Sequence, residues 1–314
     1  MKKFLLIVAL LIAAGIILFF IPIRQNKTYI IKSNFDNTLS SLNKPDNWEK
    51  WHPLLKSLST KNFKTFQLVR DTLNHRFKFT NSADSMIVEA TNPLLYSIEQ
   101  YENGNIFLYA YEIIPSSSTN SIAVKTIEKI PLLFYLFPFL HANEGEKGVL
   151  ALKAFLEDDK KFYGYNIQTE KVRDTVFAIT MLTVTKNELF KTLSTEFSKI
   201  KAYIKEKHLV QENFTSVSYI SKDDSLKLIL GIPVNKFANS SRNIRCVNIP
   251  KGRMLTGEYE GKFSQRQKIY ETFRKYTRDH YLDNVGAPFE TYFNNKLPAS
   301  DSDIVKFKLY YPIP

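Results

Sequence analysis

The chain has 314 residues, 44% of them hydrophobic and 14% aromatic, which is ample apolar material for packed cores and too much chain for one ordinary domain. Ten glycines and 13 prolines exclude collagen-like or low-complexity organisation, and the lone cysteine, Cys246, excludes an internal disulfide framework and any cysteine-built zinc site. A net charge of +12 favours anionic neighbours, but no dense basic run carries interleaved aromatics, so the lysines read as solubilising faces and no nucleic-acid partner is expected.

Phe4 to Ile23 is an apolar run without a charge, preceded by Lys2 and Lys3 and followed by Arg24. At about 1.5 Å per helical residue, about twenty residues cross the roughly 30 Å hydrocarbon core. Ile21-Pro22-Ile23 offers no small-residue cleavage site, so the expectation is an uncleaved transmembrane anchor over residues 1–26. Lys2, Lys3 and the amino terminus nearly balance Arg24, Lys27 and Lys32 across it. A short basic tail held in the cytoplasm would leave an inner-membrane anchor with its body in the periplasm, and the cytoplasmic orientation stays open.

Residues 27–160 read as a first domain. Lys27 to Lys32 is β-prone, a polar helical segment follows, and Trp48, Trp51 and Pro53 come next in a Trp-x-x-Trp-x-Pro pattern. Phe63–Arg70, His75–Thr80, Met86–Ala90, Leu94–Tyr101, Ile106–Ile113 and Ile122–Ile130 are rich in Phe, Tyr, Ile and Val and are predicted strands. Asn103-Gly104-Asn105 marks a hairpin. Glu144–Asp158 is a predicted helix with Val149, Leu152, Phe155 and Leu156 on one face. The apolar stretch Ile130–Leu140 holds two prolines and is too short to span a bilayer; burial under that last helix is the first reading, a cavity lid or membrane-dipping lip the second. This order of elements, with the two tryptophans, resembles the START/polyketide-cyclase-like (SRPBCC) superfamily. The resemblance implies a helix-grip fold, an antiparallel sheet wrapped around the final helix with a cavity for apolar molecules. Plain core packing is the competing reading of both tryptophans.

Beyond the charged joint at Asp158-Asp159-Lys160-Lys161, residues 162–314 repeat a plan. The strand Thr175–Val184 leads to a capping box at Thr185–Glu188 and a helix whose stripe is Leu189, Leu193, Phe197, Ile200 and Ile204. Strands are predicted at Thr215–Ile220 and Lys227–Val234. The second copy has a strand at Arg253–Glu260, a box at Ser264–Gln267, a stripe of Ile269, Phe273, Tyr276 and His280, and strands at Phe289–Phe293 and Ile304–Tyr311. Thr185 to Pro233 and Ser264 to Pro312 are both 48 positions apart. Such a duplication is best satisfied by pairing the halves about a pseudo-twofold axis.

Gly257-Glu258-Tyr259-Glu260-Gly261, Gly286-Ala287-Pro288-Phe289-Glu290-Thr291-Tyr292 and Lys308-Leu309-Tyr310-Tyr311-Pro312-Ile313 occur in the order of the GyrI-like family, which this half resembles. That family, grouped with AraC-type and SOUL-like folds, is the effector-binding domain of many bacterial drug-sensing regulators. The resemblance implies an aromatic cleft with one acidic residue, matched here by Glu290. A carboxylate among tyrosines would pair with a ligand cation, and burial would raise its pKa. Tyr292, Tyr259, Tyr219 and Tyr310 are the candidate walls, with core packing the competing reading of each; Cys246 and His280 read as packing residues. His52, His75 and His141 lack metal-ligand spacing, so no metal or cofactor is expected.

The expected fold class is α+β: a transmembrane helix, a helix-grip (START-like) antiparallel sheet domain, then a duplicated strand–helix–strands GyrI-like domain. The expected function is a membrane-anchored protein capturing an amphipathic or cationic small molecule. The alternatives are a hydrolase of strained electrophiles that uses Glu290, and a ligand-free interaction platform of the envelope.

Overall fold

Alternating aromatic or β-branched and polar residues favour strands with one buried face, and the computed structural model turns most of this chain into antiparallel sheet. It describes residues 2–59, 67–71, 75–81, 84–116, 120–137, 143–173, 175–222, 225–249 and 251–314. The chain divides into two units, Met1–Asp158 and Asp159–Pro314.

In the first unit α1 (Lys2–Phe20) leads directly into β1 (Pro22–Ile31), followed by α2 (Phe35–Asn43), α3 (Pro45–Trp51) and α4 (Pro53–Ser59). Then come β2 (Gln67–Asp71), β3 (Arg76–Thr80), β4 (Ser85–Asn92), β5 (Leu95–Glu102), β6 (Asn105–Ile114), β7 (Ile122–Pro131), α5 (Leu132–Leu136) and α6 (Glu144–Leu156). Among the described residues the sheet order is β1-β7-β6-β5-β4-β3-β2. Asn103 and Gly104 take positive φ at the β5–β6 turn, as a tight hairpin requires. Trp48 and Trp51 are buried with rings 4.6 Å apart, and each indole N–H donates to a carbonyl of α2, Leu42 or Ser41. Phe63 to Phe66 of the predicted strand Phe63–Arg70, His141, and Pro138 to Leu140 of the apolar stretch lie outside the described residues. Within that stretch Tyr135, Leu136 and Phe137 are exposed rather than buried under α6.

The second unit holds α7 (Asp159–Tyr163), β8 (Gln168–Val172), β9 (Thr175–Thr185), α8 (Leu189–Glu206), β10 (Ser216–Lys222), β11 (Ser225–Val234) and β12 (Arg245–Ile249). It continues with β13 (Gly252–Lys262), α9 (Gln267–Asp279), β14 (Phe289–Tyr292) and β15 (Ile304–Ile313). The described strands order as β12-β9-β11-β10-β14-β15-β13-β8, which reads alike from both ends when β9, β10 and β11 are matched to β13, β14 and β15. The copies meet where β10 pairs β14, through Ser216↔Thr291 and Val217↔Glu290. All five residues of the α8 stripe are buried. On α9 Ile269 and Phe273 are buried, but Thr277 takes the next inward place, Tyr276 is half-buried and His280 is exposed, stacked on Tyr276 at 4.0 Å. Both helices open with a tight 3-10 turn in place of a capping box, Lys186–Glu188 and Phe263–Gln265. The first turn keeps only a side-chain link, the Thr185 hydroxyl to Glu188 at 2.8 Å.

The α+β fold class with a membrane-spanning helix is corrected by this architecture. The described chain is mostly antiparallel sheet in a seven-stranded and an eight-stranded set, with helices laid against them. No helix among the described residues is long and apolar enough to cross a membrane. The reason is where α1 stops. Ile21 to Ile23, counted into the span from the sequence, leave the helix, and Pro22 and Ile23 pair with Pro131 and Ile130 of β7. Phe4 to Phe20 then reaches about 25 Å as helix, short of the roughly 30 Å core. The membrane-spanning helix of the expected fold class goes with that correction.

Candidate functional site

Strand parity decides which side chains of the second unit meet, because successive residues point to opposite faces. On β14, Glu290 and Tyr292 share the face that carries α9, while Phe289 and Thr291 take the other. The register places Leu309 beside Glu290 and Phe307 beside Tyr292 on β15, and Val217 beside Glu290 on β10, so Tyr219 comes to the same face. From above, α9 contributes Tyr270, and Arg266 sits one turn earlier, at the junction of the 3-10 turn and the helix.

These five side chains form one cluster. Glu290 is wholly buried. Its Oε1 accepts from the Tyr270 hydroxyl at 2.8 Å and lies 3.4 Å from Arg266 Nε, and its Oε2 accepts from the Tyr292 hydroxyl. The Tyr292 and Tyr219 hydroxyls are 3.1 Å apart. The Arg266 guanidinium lies 3.7 Å from the centre of the Phe263 ring and 4.6 Å from that of Tyr219, and donates to the Phe263 carbonyl at 3.3 Å. Only 17% of the Arg266 side chain is exposed, so a cation is held inside a cage of rings and one carboxylate.

Burial pushes the Glu290 carboxyl up to about 7, against the downward pull of the Arg266 charge and of the Tyr292 and Tyr270 hydroxyls. Burial, joined by the Glu290 charge, raises the phenols of Tyr219, Tyr270 and Tyr292 far enough to keep them neutral donors. The site therefore holds one titratable acid near neutrality, and three donors already crowd it. Among the described residues no group of three or more His, Cys, Asp or Glu is placed to hold a metal ion.

The other sequence candidates fall differently. Tyr259 is buried on the same face but stacks on Phe307 at 5.1 Å and donates to the Lys262 carbonyl at 2.7 Å, a packing role at the cluster's edge. Tyr310 is opposite Phe289 in the register and stacks on it at 4.9 Å, on the far face of the sheet from Glu290. There it lines a separate hollow of about 230 Å³ with Phe177, Phe214, Phe289 and the Ser216–Thr291 hydroxyl pair. Arg266 and Tyr270 escaped the sequence reading. Their signal is an i, i+4 pair entering α9, hidden because Ser264–Gln267 also has the pattern of a cap. In the first unit a hollow of about 790 Å³ lies between the start of α3 and the β2–β5 hairpins, beside Arg70, Arg76, Phe77 and Tyr96.

No curated protein matches the chain. Similar solved structures include the EcmrR C-terminal domain, at 15% identity and a TM-score of 0.39, covering 48% of this chain and 98% of that one. SAV2435 bound to tetraphenylphosphonium is similar at 9% identity and 0.32, over 48% and 94% of the two chains. A hydrolase from Listeria innocua is similar at 13% identity and 0.38, over 51% and 98%. Residues 157–313 match the family described as integron-associated effector binding protein (Cass2). With half of its sequence in that match, the chain belongs to the integron-associated effector-binding protein family, and its second half is a GyrI-like effector-binding domain for small molecules.

Proposed function

We propose that the second unit captures an organic cation at Glu290, with Tyr219, Tyr270 and Tyr292 as the walls and hydrogen-bonding frame. One observation carries this reading: the cage already holds a cation, the guanidinium of Arg266, between two rings and a buried carboxylate. A delocalised charge offered flat against rings gains cation–π attraction and apolar burial together, and the carboxylate repays its own burial only when a positive partner is near. General-base hydrolysis needs a substrate or water proton at that carboxylate, and its oxygens are already engaged by two phenols and the guanidinium. Capture is therefore preferred. The platform reading is favoured by one fact, that side chains fill the cage, and it expects no ligand response at all.

Tetraphenylphosphonium and tetraphenylborate make the test, since they share shape and differ in sign. The cation is expected to raise the melting temperature of the full chain, by the equivalent of about 2.7 kcal/mol at a hundredfold excess over its Kd, and the anion is not. Glu290→Gln keeps the shape and removes the charge, and should abolish the shift. An equal response to both ions, or a cation response that survives Glu290→Gln, would sink the assignment.

A further inference from the structure

The cage raises a question of access. Its charge is matched before any ligand arrives, and a ligand that merely added itself would put two cations beside one carboxylate. We propose that Arg266 is a built-in competitor, occupying the ligand's own place, so that an organic cation binds by exchange with it and the exchange sets which cations can enter. This inference rests on the reading of Glu290 as a cation site and adds the residue that governs it.

The position of Arg266 suits exchange. Its backbone lies at the rim, where Ser264, Gln265, Gln267 and Lys268 on either side of it are all exposed, while its side chain runs inward. A long side chain rooted at the surface can turn outward into water by rotamer changes alone, leaving the helix start in place. Its hold within the cage consists of two ring contacts, one 3.4 Å approach to Glu290 and one bond to the Phe263 carbonyl. An arriving cation can replace all but the last of these. The phenols of Tyr270 and Tyr292 are different: they bond the carboxylate from β14 and α9 and remain as the frame for either occupant.

Exchange also explains selectivity. A neutral aromatic would fill the space but leave Glu290 buried without a counter-charge, which is heavily penalised. A compact, strongly hydrated ammonium would supply charge without ring contact and lose to the guanidinium, which is planar and weakly hydrated. Only cations that are broad and apolar compete on both counts. The competitor lowers apparent affinity by the fraction of time the cage is open. A cage open roughly a tenth of the time costs about tenfold, and removing the competitor returns it.

The experiment measures tetraphenylphosphonium binding to the full chain by calorimetry, in wild type, Arg266→Ala and Arg266→Met. The methionine keeps a long apolar stem and guards against a variant that fails to pack. Both variants are expected to bind about tenfold more tightly than wild type. Millimolar methylguanidinium should refill the vacated place, stabilising Arg266→Ala to heat while leaving wild type unmoved. If the variants bind no more tightly than wild type, or methylguanidinium stabilises both proteins equally, the competitor role is overturned while the cation site stands. If tetraphenylphosphonium binds none of the three, the cation-site reading itself falls.

Discussion

Glu290 makes a pH-dependent prediction with a definite sign. Burial raises its carboxyl from an ordinary 4.5 to about 7 in the fold. A carboxyl whose folded pKa lies above its unfolded one contributes stability that is complete below about 4.5 and lost as pH rises through about 7. The shift is equivalent to about 3 kcal/mol for this fully buried group. Burial pushes Glu128 in the first unit up to about 7 as well, but that group is common to wild type and Glu290→Gln and cancels in the comparison. The glutamine variant should therefore gain on wild type in urea unfolding between pH 5 and pH 8, and parallel pH profiles would show that Glu290 does not titrate as described. Cation binding should run the other way, tightening as pH rises and the carboxylate forms. At this scale motif order discloses the acid and one of its phenols, Tyr292, while Tyr270, the other phenol on the carboxylate, lies outside those motifs. The sequence did not disclose Tyr310's orientation, because one position of strand parity separates the Glu290 face from the opposite one, and parity is fixed by the ladder to β14.

Among the elements, α9 matters most, since it carries Tyr270 and is entered through Arg266. What lets it settle onto the sheet is Gly257 of β13. A methyl group there would stand 2.9 Å from the Phe273 ring of α9 and 3.4 Å from the Asn166 carbonyl, and the ring is itself buried. Gly257→Ala should cost about 1 to 3 kcal/mol by overpacking. Pairing it with Phe273→Leu should recover part of that loss, and a double variant no better than the sum of its singles in urea unfolding would refute the close-contact account. Helix stripes and strand segments were readable here, as Leu189 through Ile204 attest. Helix openings were not. A Ser or Thr followed three positions later by Glu or Gln is equally compatible with a 3-10 turn, and the turn is chosen by bonds from afar, such as the Ser264 amide to the Asp301 carbonyl at 3.0 Å.

For the whole molecule, the division falls at Asp158 and Asp159, inside the charged joint of the sequence, and the five cage residues all lie beyond it. A fragment of residues 157–314 is therefore expected to melt in one cooperative transition and to keep the preference for tetraphenylphosphonium over tetraphenylborate. A fragment that folds but binds neither ion would place the requirement for the first unit beyond its own fold. The apolar opening of the chain was misleading for a reason of range. Hydropathy reports twenty neighbours in a row, whereas the end of α1 is decided by a ladder to residues more than a hundred positions later.

The join between the two repeats has a further consequence. Only two register pairs stitch β10 to β14, and in one of them Val217 faces Glu290. Symmetry of backbone thus coexists with asymmetry of charge: the same frame occurs twice, but an aliphatic residue stands where a second acid would have to be. Two carboxylates so close would share a proton or repel, and each would blunt the other's hold on a cation. With one partner mute, the proposed cation site has a single acid, and the doubled frame of the second unit would take one guest there.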